Sequence, residues 1–369
     1  MSPSATIDRN NSIPILKILQ ALVLATIAGA ICDALGVPVG WLVGPLAIGV
    51  ALALIEGHAR PLPSAFLHIG QAIIGVSSAA RFSPDTLALA SHFFVPLLLC
   101  ISVTAGLSMM NGLVLWRWAG VERNTSFLGT IPGSASNIVA MSADLGAQPV
   151  PVAVLQYTRA MLVVLLMPSV ANWLAKANGI EVTSNLTSVA ATSARVATGQ
   201  PLWANLLFLV GCASAGIFFG RLLRLPASAF IGSFLLSLAV SWQFPGQFYV
   251  PQFAFVGALL LLGIFVGLRF DLPTIGQLRQ AVVIEIGLIA ILILGCLTTG
   301  YIFHLVTDVD IMTALLGFVP GAIEAMVATT TQLGGDTGTV IAIQMTRHII
   351  ILLVVNVLYY FAHRHASQS

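Results

Sequence analysis

Long apolar runs, separated by short polar breaks, dominate the chain. A helix needs about 20 apolar residues to cross a hydrocarbon core of roughly 30 Å. By that measure the first half holds spans at 13–32, 39–55, 64–80, 93–115 and 150–173. The second half holds spans at 202–222, 227–243, 250–268, 281–303 and 339–361. Two further stretches, 124–146 and 312–334, are only moderately apolar and rich in Gly, Ser, Thr and Pro. Between the halves, 174–200 is polar, and from Lys176 to Gln200 it reads as a Ser/Thr/Ala-rich flexible linker. The pattern divides the chain into a first membrane repeat at 13–173, the linker, and a second membrane repeat at 201–361. The first twelve residues are polar, and the run from Ile13 continues past Ala30 without an obvious cleavage site. That predicts a retained first span and not a removed signal peptide.

Composition sharpens this reading. Of 369 residues, 58% are hydrophobic and 8% charged, with a mean hydropathy of +0.98. A soluble domain carries about a quarter charged residues, so the chain has too little charge to coat a water-facing surface. A net charge of +2 gives no reason to expect nucleic acid as a direct partner. Cys32, Cys100, Cys212 and Cys296 sit in apolar stretches without paired spacing, which suits small core residues better than a disulfide or a metal site.

The chain also repeats itself. Displaced by 188 residues, it aligns without a gap from Leu35 to Arg347. Leu35, Pro38 and Gly44 fall on Leu223, Pro226 and Gly232; Gly75, Arg81 and Phe82 fall on Gly263, Arg269 and Phe270. The densest match is Leu128–Arg159 against Leu316–Arg347, identical at 12 of 32 positions. It contains Leu-Gly-x-x-Pro-Gly, then Leu-Gly, then Gln-x-Thr-Arg in both copies. Apolar composition can match Leu and Val by chance, but not Pro-Gly, Gln and Arg in one register.

The number of crossings per copy decides whether the copies are parallel or inverted. Six crossings make them parallel; five, with the Pro-Gly segment dipping in and returning, make them inverted. Cytoplasmic loops collect Lys and Arg. With five crossings and the N-terminus inside, ten basic residues fall on the cytoplasmic side and three (Arg81, Lys176, Arg195) outside. With six crossings the division is 8 against 5. The expected fold is therefore an all-α polytopic membrane protein. It has two inverted-topology repeats, each of about five transmembrane helices plus one broken or re-entrant Pro-Gly segment. Both termini are expected in the cytoplasm. Such repeats with interrupted helices recur in secondary transporters.

Candidate chemistry concentrates in the repeated segment. Proline and glycine cannot continue a regular helix without losing hydrogen bonds, and a break at membrane depth survives only if packed in protein or facing water. A helix starting after Pro132-Gly133, or after Pro320-Gly321, would direct free N–H groups inward. In the first copy Ser134, Ser136 and Asn137 supply polar groups beside them. The alternative is a Pro-kinked helix with Gly129 and Gly133 in a close GxxxG contact. Glu324 replaces Ser136 in the second copy; it is either a proton- or cation-coupling carboxylate or the structural partner of an arginine. Arg159 and Arg347 lie deep in apolar stretches, each three residues after a glutamine, so Gln156/Arg159 and Gln344/Arg347 share helix faces. A guanidinium there must pair with a carboxylate, backbone carbonyls or an anionic ligand. Asp144 and Asp336 are candidate carboxylates for a structural ion pair, and the alternative is an anion site between two facing arginines. Glu285 is a weaker candidate for a buried acid, with Gln71 and His348 weaker still.

No His-Glu-x-x-His, Gly-x-Ser-x-Gly or phosphate loop is present. No enzymatic activity, metal or cofactor is expected.

With both copies of Leu-Gly-x-x-Pro-Gly and Gln-x-Thr-Arg at this spacing, the sequence resembles the AbrB-duplication family of bacterial inner-membrane proteins over nearly its whole length. Members are labelled regulators of gene expression and some ammonia monooxygenases. The resemblance implies an inner-membrane location and an indirect regulatory effect, and it carries over no site residues. Direct transcriptional control would need a DNA-binding module, for which the tails and linker are too short and too uncharged. A monooxygenase would need metal ligands that the chain does not cluster. The leading expectation is a multi-pass inner-membrane transporter or exporter of a small solute or ion. Its partners are the lipid bilayer and that solute, with homo-oligomer formation left open. The runner-up is a membrane-embedded regulator acting through a partner protein, for which the loops at 56–63 and 117–125 would matter most.

Overall fold

The computed structural model describes residues 15–37, 39–57, 62–79, 93–133, 135–142, 145–177, 200–223, 225, 227–245, 247–269, 276, 278–321, 323–348 and 350–351. The described residues are helical throughout, with no strand among them. The first copy consists of α1 (Ile15–Ala34), α2 (Gly40–Glu56), α3 (Ser64–Ala79), α4 (Phe94–Trp118), α5 (Arg123–Thr130), α6 (Ala135–Ser142) and α7 (Pro149–Ala177). The second consists of α8 (Leu202–Leu222), α9 (Ser228–Gln243), α10 (Gln252–Gly267), α11 (Arg279–Thr307), α12 (Ile311–Phe318) and α13 (Ile323–Leu333), then α14 over 337–348. Helices α2, α3, α5 and α6 recur as α9, α10, α12 and α13, each starting 188 residues later. The duplication in the sequence is thus a duplication of elements. The expected linker falls almost wholly outside the described residues, and α7 continues through Pro168 to Ala177, past the expected end at 173.

Five helices (α1, α4, α7, α8 and α11) are long and apolar enough to cross a membrane. The apolar helices α2, α3, α9 and α10 have 16 or 17 residues, about 24–26 Å at 1.5 Å per residue. Large apolar side chains lie bare on the outer surface, such as Leu99 and Met110 on α4, Val210 and Phe218 on α8, and Leu294 and Leu305 on α11. Such a surface is stable against lipid and not against water. Trp118, Trp173 and Trp203, each at or near a helix end, are about two-thirds exposed, as expected of residues at the membrane–water boundary.

The helices sort into two bundles by contact. In one, α1–α3 pack with α8–α10; in the other, α4–α7 pack with α11–α13. The exchange is reciprocal: α2 lies along α10 while α3 lies along α9. At these crossings Gly263 on α10 faces the Leu42 carbonyl of α2, and its counterpart Gly75 on α3 faces the Phe230 carbonyl of α9. Any Cβ there would collide with main chain, so the backbones approach closely only because both residues are glycine. Contacts between the two bundles are thin, made by α7 with α2 and α10, and by α13 with α3.

Gly263→Leu is expected to destabilise the protein by about 1–3 kcal/mol through overpacking, read as a lower melting temperature in detergent. Gly257→Leu on the same helix, where a new Cβ meets nothing within 4 Å, is expected to leave the melting temperature unchanged.

Candidate functional site

The repeated Pro-Gly segment is two short helices, with α5 ending at Thr130 and α6 starting at Ala135. The uninterrupted, Pro-kinked helix is thereby excluded. The segment also returns to where it started. Thr125 Oγ1 near the start of α5 accepts from the Gln148 N–H just before α7, at 3.0 Å. The same bond recurs in the second copy, from the Asp336 N–H to Thr313 Oγ1 at 2.8 Å. Asn124 adds a bond from Nδ2 to the Leu145 carbonyl at 3.1 Å. Gly146 and Gly334, at φ 68° and 75°, make the left-handed turn at the end of each hairpin, which explains why Leu-Gly is duplicated.

At the other end the break exposes the last carbonyls of α5 and α12, which have no helical partner. The following helix supplies one. Gln156 Nε2 donates to the carbonyls of Leu128 (2.7 Å) and Ile131 (3.0 Å). Arg159 Nη1 donates to those of Thr130 (2.8 Å) and Ile131 (3.2 Å), and its Nη2 to Gln156 Oε1 (2.7 Å). The second copy repeats this. Gln344 Nε2 donates to Leu316 and Val319, both at 3.1 Å, and Arg347 Nη1 to Phe318 at 2.9 Å. Arg347 Nη2 also donates to Gln344 Oε1. A cation at a helix C-terminus is also favoured by the helix dipole. These four side chains are fully or almost fully buried.

Both arginines thus bind main-chain carbonyls, and Asp336 is not the partner of Arg347. Asp336 accepts from Gly338 N–H (2.9 Å) and Thr339 Oγ1 (2.6 Å) and so caps the start of α14 instead of meeting Arg347. Asp144 lies outside the described residues, as does Ser134. Ser136 and Asn137 sit in the first turn of α6, and Glu324 in that of α13; their side chains are not among those described.

A cavity of about 130 Å³ lies between the bundles and touches both hairpin tips, at Gly133 and Gly321. That is roughly ten times the least space a water molecule needs. Gln156 and Arg159 form part of its wall, with Ala135, Tyr157, Ile323, Ala325 and His348. The opposite wall is largely apolar, formed by Leu42 and Leu46 of α2, Leu67 of α3, and Leu262, Phe265 and Val266 of α10, with the polar Gln71 of α3 among them. Pro132, Pro320, Gln344 and Arg347 support the tips without forming the wall.

Three features had weak or no signal in the sequence. Glu285 is 1% exposed, its Oε2 has no hydrogen-bond partner, and it couples electrostatically to Arg159. It is thus an acid buried within the protein. Arg269, just past α10, donates to the Tyr157 hydroxyl of α7 and stacks on the rings of Tyr157 (4.8 Å) and Phe265 (4.3 Å), joining the two bundles beside the cavity. Val39 and Ala227 are repeat partners, and both hold left-handed backbone, at φ 52° and 45°. Val39 N–H donates to Gln332 Oε1 of the second hairpin at 2.5 Å. Among the described residues no group of three or more His, Cys, Asp or Glu is placed to hold a metal ion.

Comparison with known proteins adds the family. The model of the family described as transition state regulatory protein AbrB matches residues 41–363. The chain belongs to the AbrB family. Among its AbrB-family relatives is "Uncharacterized protein YhjN" of Bacillus subtilis (strain 168), 25% identical over 95% of this chain and 94% of its own length. Another is "Putative regulator AbrB" of Escherichia coli (strain K12), also 25% identical, over 92% of this chain and 94% of its own length.

The glutamines can be tested by stability. Gln344→Leu removes the donor shared by two buried carbonyls, and each unsatisfied carbonyl costs about 1–3 kcal/mol. A clear loss of thermal stability in detergent is expected, with Gln156→Leu behaving alike. An unchanged melting temperature in both would show that the hairpins are held in another way.

Proposed function

We propose that the protein is a secondary transporter or exporter of a small solute. It would work by alternating access at the bacterial inner membrane, with both termini cytoplasmic. The reading rests above all on the cavity between the two bundles, which reaches the tips of both hairpins. Polar backbone and buried guanidinium are costly at membrane depth and are retained where a solute path needs them. A sealed scaffold has no such need.

The topology fits this reading. A hairpin that returns to its own side leaves each copy with five crossings, an odd number, so the second copy runs opposite to the first. The Lys/Arg distribution of 10 against 3 favours the same arrangement. Inverted halves can exchange conformations, each opening the site to one side in turn. Pro132, Gly133, Pro320 and Gly321 permit the breaks. Gln156, Arg159, Gln344 and Arg347 hold the tips together and set the local positive charge. Ser134, Ser136 and Asn137 serve as polar neighbours, and Glu324 as the coupling carboxylate. The role includes no bond-making chemistry and calls for no cofactor.

The name of the Escherichia coli relative, "Putative regulator AbrB", favours a second reading, a membrane-embedded regulator that acts on gene expression through a partner without touching DNA. The two meet if the solute being moved is itself a signal.

Accessibility from both sides tests the transport reading directly. Single cysteines at Ala135 and Ala325, both on the cavity wall, are placed in a chain whose four native cysteines are replaced. Membrane-impermeant thiol reagents are expected to label each site in right-side-out and in inside-out vesicles. Labelling from one face alone, or from neither, would overturn alternating access and favour the regulator.

A further inference from the structure

The cavity wall has two unlike halves, and together they specify a ligand. On the α7 side is Arg159, 5% exposed. Its bonds to Thr130, Ile131 and Gln156 account for three of the five guanidinium N–H donors. His348, equally buried, also faces the cavity. Its Nδ1 lies 3.1 Å from the Gln344 carbonyl; a carbonyl only accepts, so Nδ1 carries the proton, and Nε2 of the neutral ring can only accept and gives an anion no hydrogen bond. Among the described residues of the wall the ionisable ones are Arg159, His348 and Tyr157, with no carboxylate. Behind the wall stand two buried guanidiniums, Arg159 and Arg347, which couple to each other, against one described buried carboxylate, Glu285. The first turns of α6 and α13 add N–H groups at the same place.

The facing half is mostly hydrocarbon from Leu46, Leu67, Leu262 and Val266, with Gln71 its one polar side chain among the described residues. A bare inorganic anion would lose its water against that face with little to replace it. The volume of about 130 Å³ is well below the roughly 300–1,000 Å³ of sites for drug-sized ligands.

From this we propose that the cavity binds a small organic anion, a monocarboxylate with a short apolar tail. The carboxylate would sit at Arg159 between the hairpin tips and the tail against α2, α3 and α10. As an assignment of substrate this rests on the transport reading above; as a binding site it stands by itself.

Calorimetric titration of the purified full-length protein in detergent tests it, with sodium butyrate as probe and butylamine and inorganic phosphate as comparisons. Butyrate is expected to bind saturably and at least tenfold more tightly than either. Ala135→Asp places a negative charge on the wall at the first residue of α6, where an acid favours the helix, so the fold is expected to persist. Butyrate affinity should fall at least tenfold there, while Gly257→Leu, away from the cavity wall and with nothing within 4 Å of the new Cβ, stays within threefold of the parent. Equal binding of butylamine or phosphate, an unchanged affinity in Ala135→Asp, or no butyrate binding by folded protein would each overturn the proposal. Two-sided cysteine labelling without butyrate binding would remove the organic anion and leave transport. Butyrate binding with one-sided labelling would remove transport and leave the site.

Discussion

The constraint on which the rest depends is a helix ending inside the protein. Once Pro132 and Pro320 stop α5 and α12, several carbonyls lose their helical partners among buried residues. The Gln-x-x-Arg pair of the next helix answers this, because an amide and a planar guanidinium three residues apart form one flat array of donors. Three carbonyls per copy are met in the first hairpin and three in the second. The threonine bonds at the hairpin base fix the other end. With both ends fixed, the tips of the two hairpins are brought to one cavity. The residues that look most like a binding site are thus first of all the fasteners that allow the site to exist.

Much of this architecture is legible in the sequence. Spans longer than the bilayer core show as apolar runs, and nine of the ten expected spans coincide with described helices to within a few residues. The tenth, at 339–361, is described only in its first part, as α14. The duplication is visible because Pro-Gly, Leu-Gly and Gln-x-Thr-Arg each answer a backbone need that apolar residues cannot meet. What the arginines bind was legible only as one of three options, a carboxylate, backbone carbonyls or an anionic ligand. The acceptors are main-chain carbonyls, and Asp336, a candidate partner, instead caps α14.

Other features were hidden because they join distant parts of the chain. The largely apolar wall of the cavity comes from α2, α3 and α10, where Gln71 on α3 is the one polar residue that marked it in the sequence. Glu285 sits six residues past Arg279, a spacing typical of a helix end at the interface, yet α11 starts at Arg279 and carries it into the protein. Tyr157 and Arg269 are 112 residues apart, and nothing local links them. The left-handed backbone at Val39 and Ala227 goes against β-branched and alanine preferences, so local propensity points away from it.

The two copies share a frame but not its chemistry, and that difference bears on direction. At matched positions 188 residues apart, Ser136 faces Glu324, Ala160 faces His348 and Tyr157 faces Met345. If halves with identical side chains exchanged conformations, the inward and outward states would be related by a two-fold rotation and equal in energy. Here the first copy contributes Tyr157, which Arg269 holds across the bundle boundary by a hydrogen bond and ring stacking. The matched position 345 is a methionine that offers neither a hydroxyl nor an aromatic face. The histidine and the acid belong to the second copy alone. One conformation of the proposed exchange would therefore have a latch that its counterpart lacks. Under the transport reading, symmetry in the backbone would make two states accessible, and asymmetry in these few side chains would set which of them the protein favours.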